Sequence, residues 1–194
     1  PSGSNIGMAG ASSTTGNVVS ASMLATGAGT YTFVVSGTGT GTYDLTVALN
    51  SVNEEEAING VSNDTLGTSQ SIDNAFTDLP DGASRGLVSG QLNSGGQDWY
   101  GFTMTGQGSI TVLLSSSQLT QADIEIYNAA GERLTQGVQG STNAVAAVQN
   151  VGIADGGTYY VRVLSTGGGA GGAYTLLVAR NSTFDLEDNN QTIR

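Results

Sequence analysis

The sequence lacks three side chains on which much enzyme chemistry depends. Its 194 residues include no cysteine and no histidine, and all five basic residues are arginines. The chain therefore has no thiol nucleophile, no Ser-His-Asp triad, no zinc site of imidazole or thiolate, and no Schiff-base lysine. Paired carboxylates in a pocket would be the remaining route to catalysis. We expect that the protein is not an enzyme.

Positive charge and long apolar runs are also scarce. The net charge of -11 argues against nucleic acid as a partner, because a polyphosphate would be repelled. No apolar run approaches the roughly 18 residues of a membrane span, so none is expected. Thirty glycines and only 11% charged residues are typical of exported bacterial repeat proteins. We expect an extracellular or cell-surface location and, since Pro1 is not an initiator Met, a processed or excised segment.

What the sequence does contain is apolar alternation of period two, separated by clusters of Gly, Asn, Asp and Pro. The alternation predicts strands at 86–92, 98–104, 108–116, 122–128, 132–137, 144–151, 157–165 and 173–180. Such short strands at nearly regular spacing predict an all-β sandwich of two antiparallel sheets. The predicted core comprises Tyr100, Phe102, Ile110, Val112, Ile124, Ile126, Tyr159, Val161, Tyr174 and Leu176.

An internal repeat divides the chain. Gly29-Thr30-Tyr31 recurs as Gly157-Thr158-Tyr159, and the segment 43–51 recurs imperfectly as 174–182. The repeat predicts that residues 1–51 are the C-terminal part of a first sandwich unit. Residues 52–180 would be a complete unit, with a linker at 52–83 and strands at 84–180. Residues 181–194 would be a linker and the start of a third unit in a tandem array.

The incomplete first unit has a physical consequence. Residues 1–50 hold only the last strands of their unit, so they should present open sheet edges and an uncovered apolar face. That face would consist of Tyr31, Phe33, Val35, Tyr43, Leu45 and Val47. We expect a preceding polypeptide or a neighbouring copy of the chain to complete it.

The order of motifs in the complete unit is similar to a known family. The motifs are Val88-Ser89-Gly90-Gln91-Leu92, Asp98-Trp99-Tyr100-Gly101-Phe102, Ala122 to Gly131, Gly157 to Val163, and Ala173 to Val178. Together they resemble the bacterial pre-peptidase C-terminal domain, which is similar to the collagen-binding modules of clostridial collagenases. The resemblance implies a secreted, non-catalytic, jelly-roll-like β-sandwich that often occurs in tandem.

The resemblance also implies calcium, held where the N-terminal linker meets the acidic loop before the Asp98 strand. The residues at the matching positions of the complete unit are Glu55, Glu56, Asn63, Asp64 and Asp98, and the head of the next unit carries Glu187 and Asn189. Carboxylate and amide oxygens suit calcium. The alternative is that the acidic run is a solvated linker and that Asn63 or Asp64 caps a turn. Calcium would stiffen the junctions between units.

Two aromatic side chains are candidates for a surface contact. Trp99 and Tyr160 lie on the opposite phase of their strands from Tyr100, Tyr159 and Tyr174, which we expect in the core.

Two functions remain. The first is a structural or adhesive extracellular array that forms a surface fibre, a stalk or part of a large exoprotein. The alternative is a module that targets an attached secreted hydrolase to a polymer such as collagen or a polysaccharide. Tandem repetition favours the first, and the similarity to collagen-binding modules favours the second.

Overall fold

A computed structural model of the chain describes residues 27–45, 47–58, 60–141 and 144–184. The strands of this part are Ser51–Asn53 (β1), Gln70–Ser71 (β2), Thr77–Asp78 (β3), Ser84–Leu92 (β4), Gln97–Met104 (β5), Gly108–Ser115 (β6), Ala122–Tyr127 (β7), Arg133–Gln136 (β8), Val138–Ser141 (β9), Ala144–Ile153 (β10), Gly157–Ser165 (β11) and Gly172–Arg180 (β12). Short 3-10 helices occupy Glu56–Ile58, Leu66–Thr68, Asp73–Ala75 and Pro80–Gly82.

The strands form two sheets that face each other. The larger sheet has the order β1-β4-β12-β6-β10-β9, with β3 also paired to β4, and the smaller has the order β2-β5-β11-β7-β8. The predicted all-β sandwich is therefore confirmed. The sheets are mixed rather than purely antiparallel, because β1 pairs with β4 and β2 pairs with β5 in parallel.

The core lies between the sheets and follows the alternation of the sequence. Every predicted core side chain is buried, and Tyr100, Phe102 and Leu176 have no exposed surface. Burial of each large apolar side chain stabilises the fold by about 1.5–3 kcal/mol, which is why the long strands have one apolar face. The eight predicted long strands agree with the observed ones to within about two residues, the usual scatter of strand ends.

Residues 54–83, which we call the strap, cross from the larger sheet to the smaller one. The strap follows β1, pairs with β5 through β2 and returns to β4 through β3. Ile72 and Ala75 of the strap have no exposed surface and belong to the core. The region predicted to be a linker is therefore packed onto the sandwich. Its strands, β2 and β3, have two residues each, too few to show a period.

The strand directions give the sandwich two distinct ends. The terminal end carries the loops 79–83, 105–107 and 154–156 together with Asn181, whose Nδ2 donates to the Gly82 carbonyl at 3.2 Å. The distal end carries the loops 93–96, 116–121 and 166–171, where the Ser94 hydroxyl donates to the Gly169 carbonyl at 3.2 Å. The strap begins on the distal half of β4, since the Glu54 amide donates to the Ser89 carbonyl.

The segment that precedes β1 differs from the rest of the described chain. No strand is assigned in residues 27–45 or 47–50. The predicted apolar face is exposed: Tyr31 43%, Phe33 51%, Val35 50%, Tyr43 68%, Leu45 55% and Val47 47%. That these residues are the last strands of a preceding unit stays a prediction.

Candidate functional site

The strap brings buried polar side chains against the distal ends of β4 and β5. Val52 of β1 points into the core, and Glu54 continues the same phase two residues later, so its carboxylate also points inward. Asn63 reaches the start of β5, where its carbonyl accepts a hydrogen bond from the Trp99 amide at 2.8 Å. These contacts place Glu54 and Asn63 beside Asp98. Glu54, Glu56, Asn63 and Asp98 are hereafter called the acidic cluster.

Glu54 is the most buried acid of the strap, with 1% of its surface exposed. Its Oε2 accepts a hydrogen bond from the Gln91 amide at 2.6 Å. The Glu54 and Asp98 carboxyls interact as a buried pair, in which Oε1 lacks a donor unless one carboxyl is protonated. Burial raises the pKa of the Glu54 carboxyl, and the Gln91 bond offsets part of that rise. A buried carboxylate oxygen without a donor is costly, so this position favours a proton or a cation.

Asp98 lies next to Glu54 and interacts with a pair of buried tyrosines. Its Oδ2 accepts a hydrogen bond from the Tyr174 hydroxyl at 2.6 Å, and the Tyr174 and Tyr100 hydroxyls are themselves hydrogen-bonded. Burial raises the pKa of Asp98 to about 8; the Tyr174 bond opposes the rise, and the negative charge of Glu54 adds to it. Burial therefore favours the protonated form of Asp98 near neutral pH.

Two further oxygen atoms of the cluster lack donors. Asn63 is 1% exposed, and its Oδ1 has no partner, while its Nδ2 donates to the Trp99 carbonyl at 3.4 Å. The Glu56 Oε1 accepts from the Asn93 amide group at 3.3 Å, but its Oε2 is buried and unpaired. The cluster thus contains orphaned oxygens on three side chains.

This donor set fits a hard cation such as calcium, which prefers carboxylate and amide oxygens. In the part of the chain that the structure describes, no group of three or more His, Cys, Asp or Glu side chains is placed to hold a metal ion. A cation here would therefore use the Asn63 oxygen and water as well as the carboxylates. Binding would require Asp98 to lose its proton.

The cluster includes only part of the predicted calcium set. Glu56, Asn63 and Asp98 belong to it, but the side chains of Glu55 and Asp64 are exposed. Asp64 instead accepts a hydrogen bond from the Ser62 hydroxyl at 2.5 Å. Glu187 and Asn189 lie outside the described residues. Glu54 was not predicted, although the alternation that begins at Val52 would have marked it as an inward residue.

Trp99 is not the exposed contact that was predicted. Only 8% of its surface is exposed, because the Tyr127 ring packs against it with centroids 4.8 Å apart and the Arg162 guanidinium lies 5.6 Å from its centroid. Its phase was correct, since it lies on the outer side of the smaller sheet, but neighbouring long side chains cover it. Tyr160 is half-buried on the same side.

The cover over Trp99 is held by a salt bridge on this outer side. Glu125 is 4% exposed and accepts hydrogen bonds from Tyr127, Arg133 and, at 3.0 Å, Arg162. Burial favours a higher pKa for Glu125, but these bonds and positive charges outweigh it and lower the pKa. Both carboxylate oxygens are satisfied, so this group is a closed structural contact rather than a ligand site.

Comparisons with known proteins show only distant likeness. No model of a known protein family matches the chain, and no curated protein matches it. Similar solved structures include the pre-peptidase C-terminal domain of a Bacillus anthracis collagenase, at 20% identity over 47% of this chain and 86% of that chain, with a TM-score of 0.41. Another is the periplasmic g-type lysozyme inhibitor PliG of Aeromonas hydrophila, at 15% identity over 57% and 96%, with a TM-score of 0.39.

The module CsCBM6-3 of Clostridium stercorarium, solved with cellobiose, is 18% identical over 56% of this chain and 81% of that chain, with a TM-score of 0.29. At such scores the likeness carries no functional argument. Among the described residues, no helix is long and apolar enough to cross a membrane. The function is therefore argued from the residues of this chain.

Proposed function

We propose that the chain is part of an extracellular, non-catalytic tandem array of β-sandwich units with a structural or adhesive role. The observation that carries the proposal is a difference in burial between matching sequences. Tyr174, Leu176 and Val178 of β12 are at most 3% exposed. Tyr43, Leu45 and Val47, their counterparts in the repeat, are 68%, 55% and 47% exposed.

The position of β12 says what the exposed segment would need. β12 lies between β4 and β6 in the larger sheet and pairs with both of them. A strand of the same sequence would require two such neighbours and an opposing sheet before its apolar side could be buried. A preceding unit of the same kind would supply them. The low fraction of charged residues and the high glycine content favour an exported array, and the absence of cysteine is compatible with one.

We further propose that the acidic cluster binds calcium and so fastens the strap to the sandwich. Glu54, Glu56, Asn63 and Asp98 would hold the ion, which would neutralise their charge and satisfy the orphaned oxygens. The repeat supports the role of Glu54 and Glu56. These residues lie four and six positions after Asn50, and Asp185 and Glu187 lie four and six positions after Asn181. The ion would lie within a unit, toward its distal end, rather than at the junction between units.

Thermal unfolding tests the calcium proposal. A ligand that binds only the folded state raises its stability, so the melting temperature in millimolar calcium should exceed that in chelator at pH 8. Glu54→Gln should remove most of the difference, while Glu55→Gln, a neighbouring acid with an exposed side chain, should preserve it. Equal melting curves in calcium and chelator would remove calcium from the proposal.

Deletion of residues 1–50 tests the array. The shortened chain should keep the folded unit 52–180, because its core contains no residue of the deleted segment. It should lose any end-to-end polymer that the full chain forms, as measured by light scattering and electron microscopy. Normal polymerisation of the shortened, folded chain would contradict the proposal.

The targeting function has less support from the structure. Of its two candidate aromatic contacts, Trp99 is covered and only Tyr160 is partly accessible. No specific observation favours a polymer-binding surface over the array.

A further inference from the structure

One residue separates the segment that matches the end of β12 from the strand that follows it. In the repeat, residues 43–49 match 174–180, the last seven residues of β12, and Asn50 matches Asn181. The next strand, β1, begins at Ser51. If residues 43–49 are the last strand of a preceding unit, only Asn50 separates that strand from the first strand of the next unit.

The backbone at this residue supports the match. Asn50 has a φ of 54° and Asn181 a φ of 56°, the left-handed conformation that few residues other than glycine and asparagine adopt. The two residues lie 131 positions apart and share both their identity and this uncommon conformation. A left-handed asparagine therefore follows both copies of the segment.

The chain enters and leaves the complete unit at the same end. β1 pairs with β4 so that Ser51 lies opposite Leu87, and Leu177 of β12 lies opposite the same residue from the other side. β12 then continues to Arg180, opposite Ser84, where β4 begins. β1 runs away from the terminal end and β12 runs toward it. The exit is consequently at the terminal end, and the entry lies in the terminal half, three residues from that end.

We infer that consecutive units meet terminal end to terminal end, so that the array folds back at every joint instead of extending head to tail. The inference rests on the proposed tandem array. In a head-to-tail arrangement, the terminal end of one unit would abut the distal end of the next. The chain would then have to travel from the level of Leu92 back to that of Leu87, five residues or about 17 Å, to reach the next β1. One residue spans at most about 3.6 Å.

The surface assigned to this contact is the terminal end itself, and its partner is the same surface of another copy of the unit. Each unit uses one end for both neighbours, so the distal ends and the acidic clusters point away from the joint or lie side by side. Three successive units would therefore all project from one line of joints. A thin rod of units in line is incompatible with a one-residue joint.

Distances between spin labels in a two-unit protein test the inference. The protein is the full chain with residues 51–181 duplicated in direct succession, as 1–181 followed by 51–194. Because the chain has no cysteine, Thr105→Cys labels the terminal end and Thr120→Cys the distal end of either unit. Both threonines are exposed. The Thr105 and Thr120 labels within one unit supply the length of a unit as a reference.

The expected result is that the two Thr105 labels lie closer together than Thr105 of the first unit and Thr120 of the second, by on the order of 10–30 Å. Ten Gly-Ser residues inserted after Asn181 should broaden both distributions, which shows that the short joint sets the geometry. The inference would be overturned if the label at Thr105 of the first unit were closer to Thr120 than to Thr105 of the second unit, or if the two distances were equal.

Unfolding of the same protein separates this inference from the proposed array. Two folded units should double the unfolding enthalpy of the single chain. If only one of the two units folds, the proposed tandem array is wrong, and the inferred joint is wrong with it. If both units fold and the labels indicate head-to-tail order, only the same-end joint is wrong.

Discussion

Residues 43–49 and 174–180 have similar sequences and different environments. The later segment lies in the middle of a sheet with its apolar side in the core, whereas the earlier one has no assigned strand among its described residues and exposes its apolar side. The comparison shows that alternation specifies which side of a strand can be buried, but neighbouring strands decide whether it is buried.

Removal of a phenylalanine ring should give the largest contrast between the two regions. Phe102 of β5 has no exposed surface, while Phe33 is 51% exposed. Phe102→Ala should lower the free energy of unfolding by roughly 3–5 kcal/mol because it leaves a cavity in the core. Phe33→Ala, the matched control, should change it by less than about 0.5 kcal/mol. Chemical denaturation measures both, and a loss below about 1 kcal/mol for Phe102→Ala would contradict the register.

A hydroxyl deletion should give a smaller contrast at corresponding tyrosines. The Tyr174 hydroxyl donates to Asp98 and is bonded to the Tyr100 hydroxyl, whereas Tyr43 is 68% exposed. Tyr174→Phe should destabilise the unit by about 1–3 kcal/mol, since it leaves a buried carboxyl without its donor. Tyr43→Phe should have no measurable effect. Equal effects in denaturation would show that the two tyrosines share one environment.

The two regions should also differ in their contribution to the pH dependence of stability. Asp98 of the folded unit should contribute, and the earlier segment should not. The folded pKa of Asp98, about 8, exceeds the ordinary value near 3.9, so between these values the folded state binds more protons than the unfolded state. Without calcium, stability should be greatest at the acidic side of this window and fall by up to about 1.4 kcal/mol per pH unit as pH rises toward 8.

Denaturation in chelator from pH 5 to pH 8 measures this slope. Asp98→Asn should reduce it, with a remainder from Glu54, whose pKa burial also raises, and Asp44→Asn, at an exposed residue of the earlier segment, should leave it unchanged. Stability that rises over this range in chelator would mean that Asp98 is ionised in the folded unit.

The smallest expected contrast concerns the two left-handed asparagines. The Asn181 Oδ1 accepts from the Ser109 amide at 3.0 Å, and its Nδ2 donates to the Gly82 carbonyl. Asn181→Gly keeps the backbone conformation but loses these bonds, at a cost of about 0.5–1.5 kcal/mol. Asn50→Gly should cost less in this chain. A larger loss at Asn50, measured by denaturation, would mean that the earlier segment is already held in a folded unit.

The sequence was sufficient for the long strands and the core because their apolar side chains alternate over many residues. It was insufficient for the strap, where β2 and β3 have two residues each and packing comes from isolated residues such as Ile72. Phase alone placed Trp99 on the correct side of its strand but could not show that Tyr127 and Arg162 cover it. Glu54 could have been found from Val52, since both have the same phase.

The central claim is that residues 29–50 correspond to the last two strands of a sandwich unit. Amide hydrogen exchange tests it in a protein in which residues 52–156 replace residues 1–28. Gly29 then follows Gly156, as Gly157 does in the natural sequence. The account predicts that the amides of residues 31–35 and 43–49 become as protected as those of β11 and β12. Unchanged, rapid exchange in these residues, with the unit 52–180 still protected, would contradict it.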